Sequence, residues 1–423
     1  MIAASQSSTQ KLPPQKWMRA ATTRRVVAAL SAEGAEVRFV GGCIRDSLIG
    51  RPVKDVDIAT HLVPDEVMRL LKAAGIKAIA TGLAHGTITA VAGGRPFEIT
   101  TLREDVETYG RHAKVAFTDD WTADAARRDF TFNALSCTPD RTLYDPFAGI
   151  ADLRAGRVRF VGDARARIEE DYLRLLRLFR FQAHYGRTRI DPAVLEIASE
   201  LAPALRQLSG ERVREELFKL FSAANPVPVV AMMIDHKVLR EALPVAGTTP
   251  GSVSMLRALL RAEDADEPAD PVLRLAALIA PERSVAEAVG ERLRLSRRQL
   301  FALVYLASPP VDPDTKTPVK LRHRAARKLG AVLYGKLLRL DWARAHADKP
   351  RARPGARLAA ALKDATRLAG ASFPIHGRDA LALGVSEGPE LGRLLEQVED
   401  WWAENDFRPT RRQCLRHLKA LAG

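Results

Sequence analysis

Asp55 and Asp57 stand two residues apart in a largely apolar stretch, Val53-Lys54-Asp55-Val56-Asp57-Ile58. On a β-strand, residues i and i+2 share a face, so the two carboxylates would lie side by side. Like charges so close repel, and burial makes the repulsion worse. A divalent cation relieves both problems. An all-oxygen site suits Mg²⁺, which keeps some waters and takes phosphate oxygens as further ligands. Two solvated aspartates on an exposed strand face are the plain alternative. Gly41-Gly42 closes an apolar run just upstream, and Cys43-Ile44-Arg45-Asp46 then opens a short helix. Paired glycines let backbone approach a phosphate closely, helix-start N–H groups attract the anion, and Arg45 adds charge. An ordinary strand-to-helix turn would look the same. The 13 positions from Gly42 to Asp55 leave room for a helix and a return to the same sheet.

Two further segments carry polar chemistry. In Arg127-Arg128-Asp129-Phe130-Thr131-Phe132-Asn133, arginines suit phosphate, and Asp or Asn suits ribose hydroxyls. A helix start with an Asp cap is the alternative. Downstream, Asp171, Arg174, Arg177 and Arg180 recur every third residue in an otherwise apolar segment. On one helix they form a single polar stripe, able to read a base edge or simply to face solvent.

These residues need a scaffold of two kinds. A helical stretch over Thr22–Glu33 precedes strand-like runs at Val37–Gly42, Val53–Thr60, Ile76–Ala80, Gly86–Ala92 and Pro96–Thr101, with short strands near Thr142–Tyr144 and Arg157–Val161. From about Ala164 the apolar spacing turns to three and four, and helices continue to the end. The pattern predicts a mixed head followed by a long all-α remainder.

With 423 residues, of which 47% are apolar, the chain has material for several cored domains. No run nears the roughly 18 apolar residues of a membrane span, so no membrane role is expected. The first residues, MIAASQSSTQKLPPQ, read as a disordered polar arm without a signal peptide. Three distant cysteines fit neither a disulfide framework nor a zinc site and point to a reducing cytosol. Sixty-five Lys+Arg against 51 Asp+Glu leave +14, which suits a polyanionic partner such as nucleic acid.

Taken together and in this order, GGCIRDSLIGRPVKDVDIAT, RRDFTFNALS, YDPFAGIADLRAGRVRFVG, EEDYLRLLRLFRF and SGERVREELFKLF closely resemble one family. It is the class II tRNA nucleotidyltransferases with their relatives the bacterial poly(A) polymerases. The resemblance implies an α+β chain: a polymerase-β-type nucleotidyltransferase head, a mixed sheet with helices, followed by an all-α neck, body and tail. The expected division is an arm over 1–20, a head over 21–162, a neck with a base-recognition helix over 163–222, a body over 223–330 and a tRNA-binding tail over 331–423.

By position, the resemblance makes Asp55 and Asp57 the Mg²⁺ ligands, with Glu98 a candidate third carboxylate. It gives Gly42 and Arg45 the triphosphate, and Arg128 and Asp129 the phosphate and ribose, with Asn133 in support. Asp171 and Arg174 would pair with the incoming base, while Arg177 and Arg180 line its pocket and Glu170 orients them. The implied reaction is attack of a tRNA 3′ end on CTP or ATP; no haem or flavin is expected. Cytosine and adenine both show an exocyclic amine beside a ring-nitrogen acceptor, which an Asp and an Arg match, whereas uracil and guanine reverse both groups. The runner-up is a poly(A) polymerase, and a third reading is a non-catalytic RNA-binding protein. The long charged segment Leu102–Ala126 favours CCA addition, since CCA-adding members use such a loop to switch to ATP. The helix LRLAALIAPER carries no His-Asp pair, so no phosphohydrolase activity is expected.

Overall fold

The computed structural model describes residues 10–83, 86–109, 112–309, 326–327, 329–369 and 372–422. The chain divides into two compact units, Met1–Leu208 and Ser209–Gly423.

The first unit is α+β. Its elements are α1 (Lys16–Arg19), α2 (Ala21–Leu30), β1 (Val37–Val40), α3 (Gly42–Leu48), β2 (Asp57–Thr60), α4 (Pro64–Ala73), β3 (Lys77–Gly82), β4 (Thr87–Ala92) and β5 (Arg95–Thr101). There follow β6 (Arg103–Tyr109), β7 (His112–Phe117), α5 (Trp121–Ala126), β8 (Ser136–Cys137), β9 (Leu143–Tyr144) and α6 (Gly149–Ala155). Helices α7 (Ala164–Glu170), α8 (Leu173–Tyr185) and α9 (Pro192–Leu201) complete it. Seven strands form one sheet in the order β3-β4-β5-β2-β1-β8-β9. Its β2–β5 pair is parallel and its other pairs are antiparallel. One face of the sheet gives Phe39, Ile58, Ile88, Phe97 and Ile99 to a core shared with Val26, Leu30, Val67 and Leu71. Side chains alternate along a strand, so Asp57 on β2 and Glu98 on β5 belong to the opposite face.

Several expectations change. The strand foreseen near Arg157–Val161 is only an isolated bridge from Phe160 to Phe130. The strand foreseen over Val53–Thr60 begins only at Asp57, and Asp55 lies in irregular backbone before it. The cause is the partner strand: β1 pairs Val40 with Asp57, and the chain then turns away at Gly41, where φ is +68°. On the β1 side Asp55 therefore has no partner. The polar arm is also shorter than the expected 1–20. Residues 1–9 lie outside the described part, but Lys11 bridges Thr142, Leu12 is fully buried, and Trp17 packs edge-on against Phe39 at 4.9 Å. A single buried leucine and a tryptophan are enough to dock the segment on the sheet edge. Finally, much of the charged segment Leu102–Ala126 is regular: β6 and β7 pair as a separate hairpin, and α5 follows. Trp121 at its foot packs with Val40, Ala59 and Leu102, and the Arg38 guanidinium lies 4.0 Å from its ring centre.

The second unit is helical throughout its described residues, from Gly210–Phe221 to Arg411–Leu421. Arg274, within LRLAALIAPER, is buried there and donates to the Phe221 and Ala223 carbonyls and to Glu263. Near the C-terminus, Gly388 precedes the helix Pro389–Glu404. Trp402 on that helix is core: its Nε1 donates to the Pro409 carbonyl at 3.0 Å, and Phe407 meets its ring edge-on. No helix of the described residues is long and apolar enough to cross a membrane.

Candidate active site

Asp57 and Glu98 are register partners on the parallel strands β2 and β5, so their side chains leave the same face at neighbouring positions. Asp57 is half-buried, while Glu98 and Asp55 are exposed. Burial pushes the Asp57 carboxyl up to about 6; Glu98 and then Asp55 reinforce the rise, and Arg128 and Arg45 oppose it. Glu98, Asp55, Arg128 and Arg45 are therefore all within electrostatic reach of Asp57, although the five residues come from four separate places in the sequence. Cys43 beneath them is inert: burial, with Asp57 next to it, raises its thiol to about 12, and its Sγ donates to the Val40 carbonyl.

The arginines converge on the glycine turn. A Cβ on Gly41 would sit 3.2 Å from Arg128 Nη1, at a positive φ that side chains avoid. A Cβ on Gly42 would sit 3.6 Å from Arg45 Nη2. Arg45 is buried and held on both edges: Nε and Nη2 donate to Asp46 at 3.0 and 3.1 Å, and Nη1 donates to Asn133 Oδ1 at 2.6 Å. Arg128 donates to Asp124, which also accepts from Arg127 and from the Arg103 N–H at the root of the hairpin. Asp124 is 3% exposed, and its arginines hold its carboxyl below the usual range against the effect of burial.

Asp129 is placed inside the protein rather than open to a ligand. It is 7% exposed and accepts from Arg177 Nε at 2.6 Å, Asn133 Nδ2 at 2.9 Å and the Phe130 N–H at 2.9 Å. Burial would raise its carboxyl, but Arg177 and Asn133 bring it below the ordinary value. Arg45, Asn133, Asp129 and Arg177 thus form one continuous hydrogen-bonded line.

The four-residue polar stripe does not sit on one helix. Helix α7 ends at Glu170, Asp171 is extended at φ −154°, and α8 starts at Leu173. The Asp171 carboxylate accepts from the Leu173 N–H at 3.1 Å. A carboxylate that can satisfy a free helix-start N–H competes with the continuous helix and breaks it there. Arg174 and Arg167 both donate to Glu170, so Glu170 does orient the arginine beside the break. The Arg177 and Arg180 guanidiniums lie 5.6 and 4.2 Å from the ring centre of Phe181.

The family model for the poly A polymerase head domain matches residues 37–159, and that for the probable RNA and SrmB-binding site of polymerase A matches 189–247. The chain is 34% identical over 400 residues to the mitochondrial CCA tRNA nucleotidyltransferase 1 of Danio rerio, covering 90% of this chain and 87% of that one. The chain belongs to the CCA tRNA nucleotidyltransferase family. The human mitochondrial member is 33% identical, with 92% and 87% covered. Among solved structures, the Bacillus stearothermophilus CCA-adding enzyme in complex with CTP superposes at a TM-score of 0.70 over 97% of this chain and 98% of that one, at 21% identity. The Thermotoga maritima CCA-adding enzyme complexed with tRNA gives 0.61 over 94% of each, at 20% identity. These two likenesses establish the shared fold.

A nucleotidyltransferase fold of this kind implies a divalent metal, and the oxygen-only donors here fit one. Like charge and burial raise Asp57, which is the imbalance a bound cation removes. Among the described residues no three His, Cys, Asp or Glu side chains form a ready-made metal cage. Four supporting residues escaped sequence reasoning: Asp46, Asp124, Arg167 and Tyr185. Asp46 and Asp124 stood inside or beside recognised motifs, but nothing in their spacing distinguished a guanidinium clamp from a surface acid.

Proposed function

We propose that this chain completes and repairs the 3′-terminal CCA of tRNA from CTP and ATP, releasing pyrophosphate, without a template. The observation that carries the reading is the meeting of Asp57, Glu98 and Asp55 with Arg45 and Arg128 beside the Gly41-Gly42 turn. It joins a metal-binding face to a phosphate cradle. Asp55 and Asp57 are assigned as Mg²⁺ ligands, with Glu98 as the neighbouring third carboxylate. Bound Mg²⁺ would favour ionisation of the attacking hydroxyl and neutralise charge on the departing pyrophosphate. Gly42, Arg45 and Arg128 hold the triphosphate so that its α-phosphorus faces the RNA 3′-hydroxyl in line. Asp129 and Asn133 work chiefly by fixing Arg177 and Arg45. Asp171 accepts from the exocyclic amine of C or A, and Arg174 donates to the ring nitrogen. Arg177 and Arg180 close the base pocket. The helical second unit, with +14 on the whole chain, supplies a surface for tRNA. We place the neck at 163–222, the body at 223–330 and the tail at 331–423, and the protein in the cytoplasm, although relatives include mitochondrial proteins.

The poly(A) reading remains as a second one because the matched head domain carries that description. Both are tested by giving the protein tRNA that lacks its 3′ end, with CTP, ATP or both. Addition of C-C-A and then arrest is the expected result. A long ladder of A on unrelated RNA would replace this reading with the second.

A further inference from the structure

Tyr185 is the last residue of α8, the helix that opens with Arg174 and Arg177. It is far in sequence from the glycine turn, yet its hydroxyl donates to Asp46 Oδ1 at 2.8 Å. That carboxylate is the one whose two oxygens accept from Arg45 Nε and Nη2. The Tyr185 ring centre also lies 4.5 Å from the Arg45 guanidinium carbon and 4.4 Å from that of Arg51, and Arg51 donates to the neighbouring His184 carbonyl. Arg45 is thus fixed by a carboxylate, an amide and an aromatic ring at once. Cation–π contact and charge-assisted hydrogen bonds both favour one orientation of the guanidinium plane.

We propose that Tyr185 is a positioning residue for the nucleoside triphosphate, acting through Asp46 and Arg45. The inference rests on the proposed function, since it assigns the triphosphate to Arg45. Three of the five Arg45 N–H groups are spent on Asp46 and Asn133, leaving the rest for phosphate oxygens beside Gly42. Without the Tyr185 hydroxyl, Asp46 can rotate and carry Arg45 with it. Because Tyr185 stands at the opposite end of α8 from the base-reading residues, it also ties the helix that reads the base to the helix that holds the phosphates. Its loss should weaken binding of the triphosphate whichever base is attached, and leave the choice among bases intact.

The test uses the full chain with tRNA lacking its terminal CCA. Tyr185→Phe keeps the ring and removes only the hydroxyl. KM for CTP and for ATP should rise together by roughly three- to tenfold, with kcat changed by less than about twofold and rejection of UTP unchanged. Binding of CMP, which lacks the β- and γ-phosphates, should stay at the wild-type value, whereas a merely structural defect would weaken CMP and CTP alike. Tyr185→Leu, lacking the ring as well, should show the larger effect on CTP. In an Arg45→Lys background, Tyr185→Phe should have no further effect on KM. Wild-type KM values in Tyr185→Phe, parallel losses for CMP and CTP, or full additivity with Arg45→Lys would each overturn the proposal. Failure of the wild-type chain itself to add C and A would instead overturn the proposed function.

Discussion

The first unit holds two groups of buried or half-buried carboxylates, and they are treated oppositely. Asp124, Asp129 and Asp152 are each nearly sealed from solvent and each accepts from arginine: Arg127 and Arg128 for the first, Arg177 for the second, Arg157 and Arg159 for the third. Asp57 is less buried, yet after burial its strongest electrostatic influence is another carboxylate, Glu98, and its carboxyl rises to about 6 instead of falling. Arginines stand close enough to both groups, so the difference is one of direction. Arg45 spends three of its five donors on Asp46 and Asn133, and Arg128 turns one of its donors to Asp124. The arginines are themselves clamped, and the charge left uncompensated on the open face is negative. Paired acids set side chains in place, whereas the acids around Asp57 are the ones proposed above to hold a cation.

The widest gap between the groups should appear in activity. Asp57→Ala is expected to abolish nucleotide incorporation while tRNA binding stays near wild type, since the proposed tRNA surface lies on the basic helical unit and not on Asp57. A filter-binding assay beside single-turnover incorporation measures both, and normal turnover would remove the metal assignment. Stability should separate them in the other direction. Asp129→Asn leaves Arg177 facing a neutral amide and should destabilise the first unit by about 2–3 kcal/mol, less than for a fully buried pair because Arg177 keeps contact with water. Denaturant titration in metal-free buffer should show that loss for Asp129→Asn and no loss for Asp57→Asn.

Asp171 stands apart from both groups, capping α8 beside the oriented Arg174. Asp171→Ala should cut use of CTP and ATP and relax rejection of UTP by roughly tenfold, the worth of one unpaired buried polar group. Incorporation of all four nucleotides reads this directly; unchanged preference for C and A would place base reading elsewhere.

The smallest effect is a pH dependence. The folded Asp57 carboxyl, near 6, binds a proton more tightly than an unfolded aspartate near 3.8. Its contribution to the stability of the metal-free protein should therefore grow as pH falls from about 7 to about 4, by on the order of 1–2 kcal/mol. Asp124 and Asp129, held below the ordinary value, act the other way: their stabilisation is present above roughly pH 4 and is lost as pH falls further. Thermal scans from pH 7 to 4.5 should show the rise in wild type and its absence in Asp57→Asn or in saturating Mg²⁺. A wild-type protein that only loses stability over that range would mean that the two groups do not differ.

The order of motifs from Gly41-Gly42 through Asp55/Asp57 and Arg127–Asn133 to Arg174 was legible in the sequence, because phosphate and metal chemistry constrains residue type and local spacing. So was the mixed head with its helical remainder, because hydrophobic periodicity is a local property. Glu98 could be named as a candidate but not placed; only the parallel pairing of β2 with β5 sets it opposite Asp57. The same holds for Asp129, whose motif suggests a ligand contact and whose burial against Arg177 makes it a support. The break between α7 and α8 depended on one capping hydrogen bond outweighing an otherwise helical pattern. Which acids are neutralised and which are left bare is a matter of where guanidiniums from distant segments end up. Electrostatic energy depends on distance in space, and only the folded chain sets the separation of Tyr185 from Asp46, or of Asp57 from Glu98.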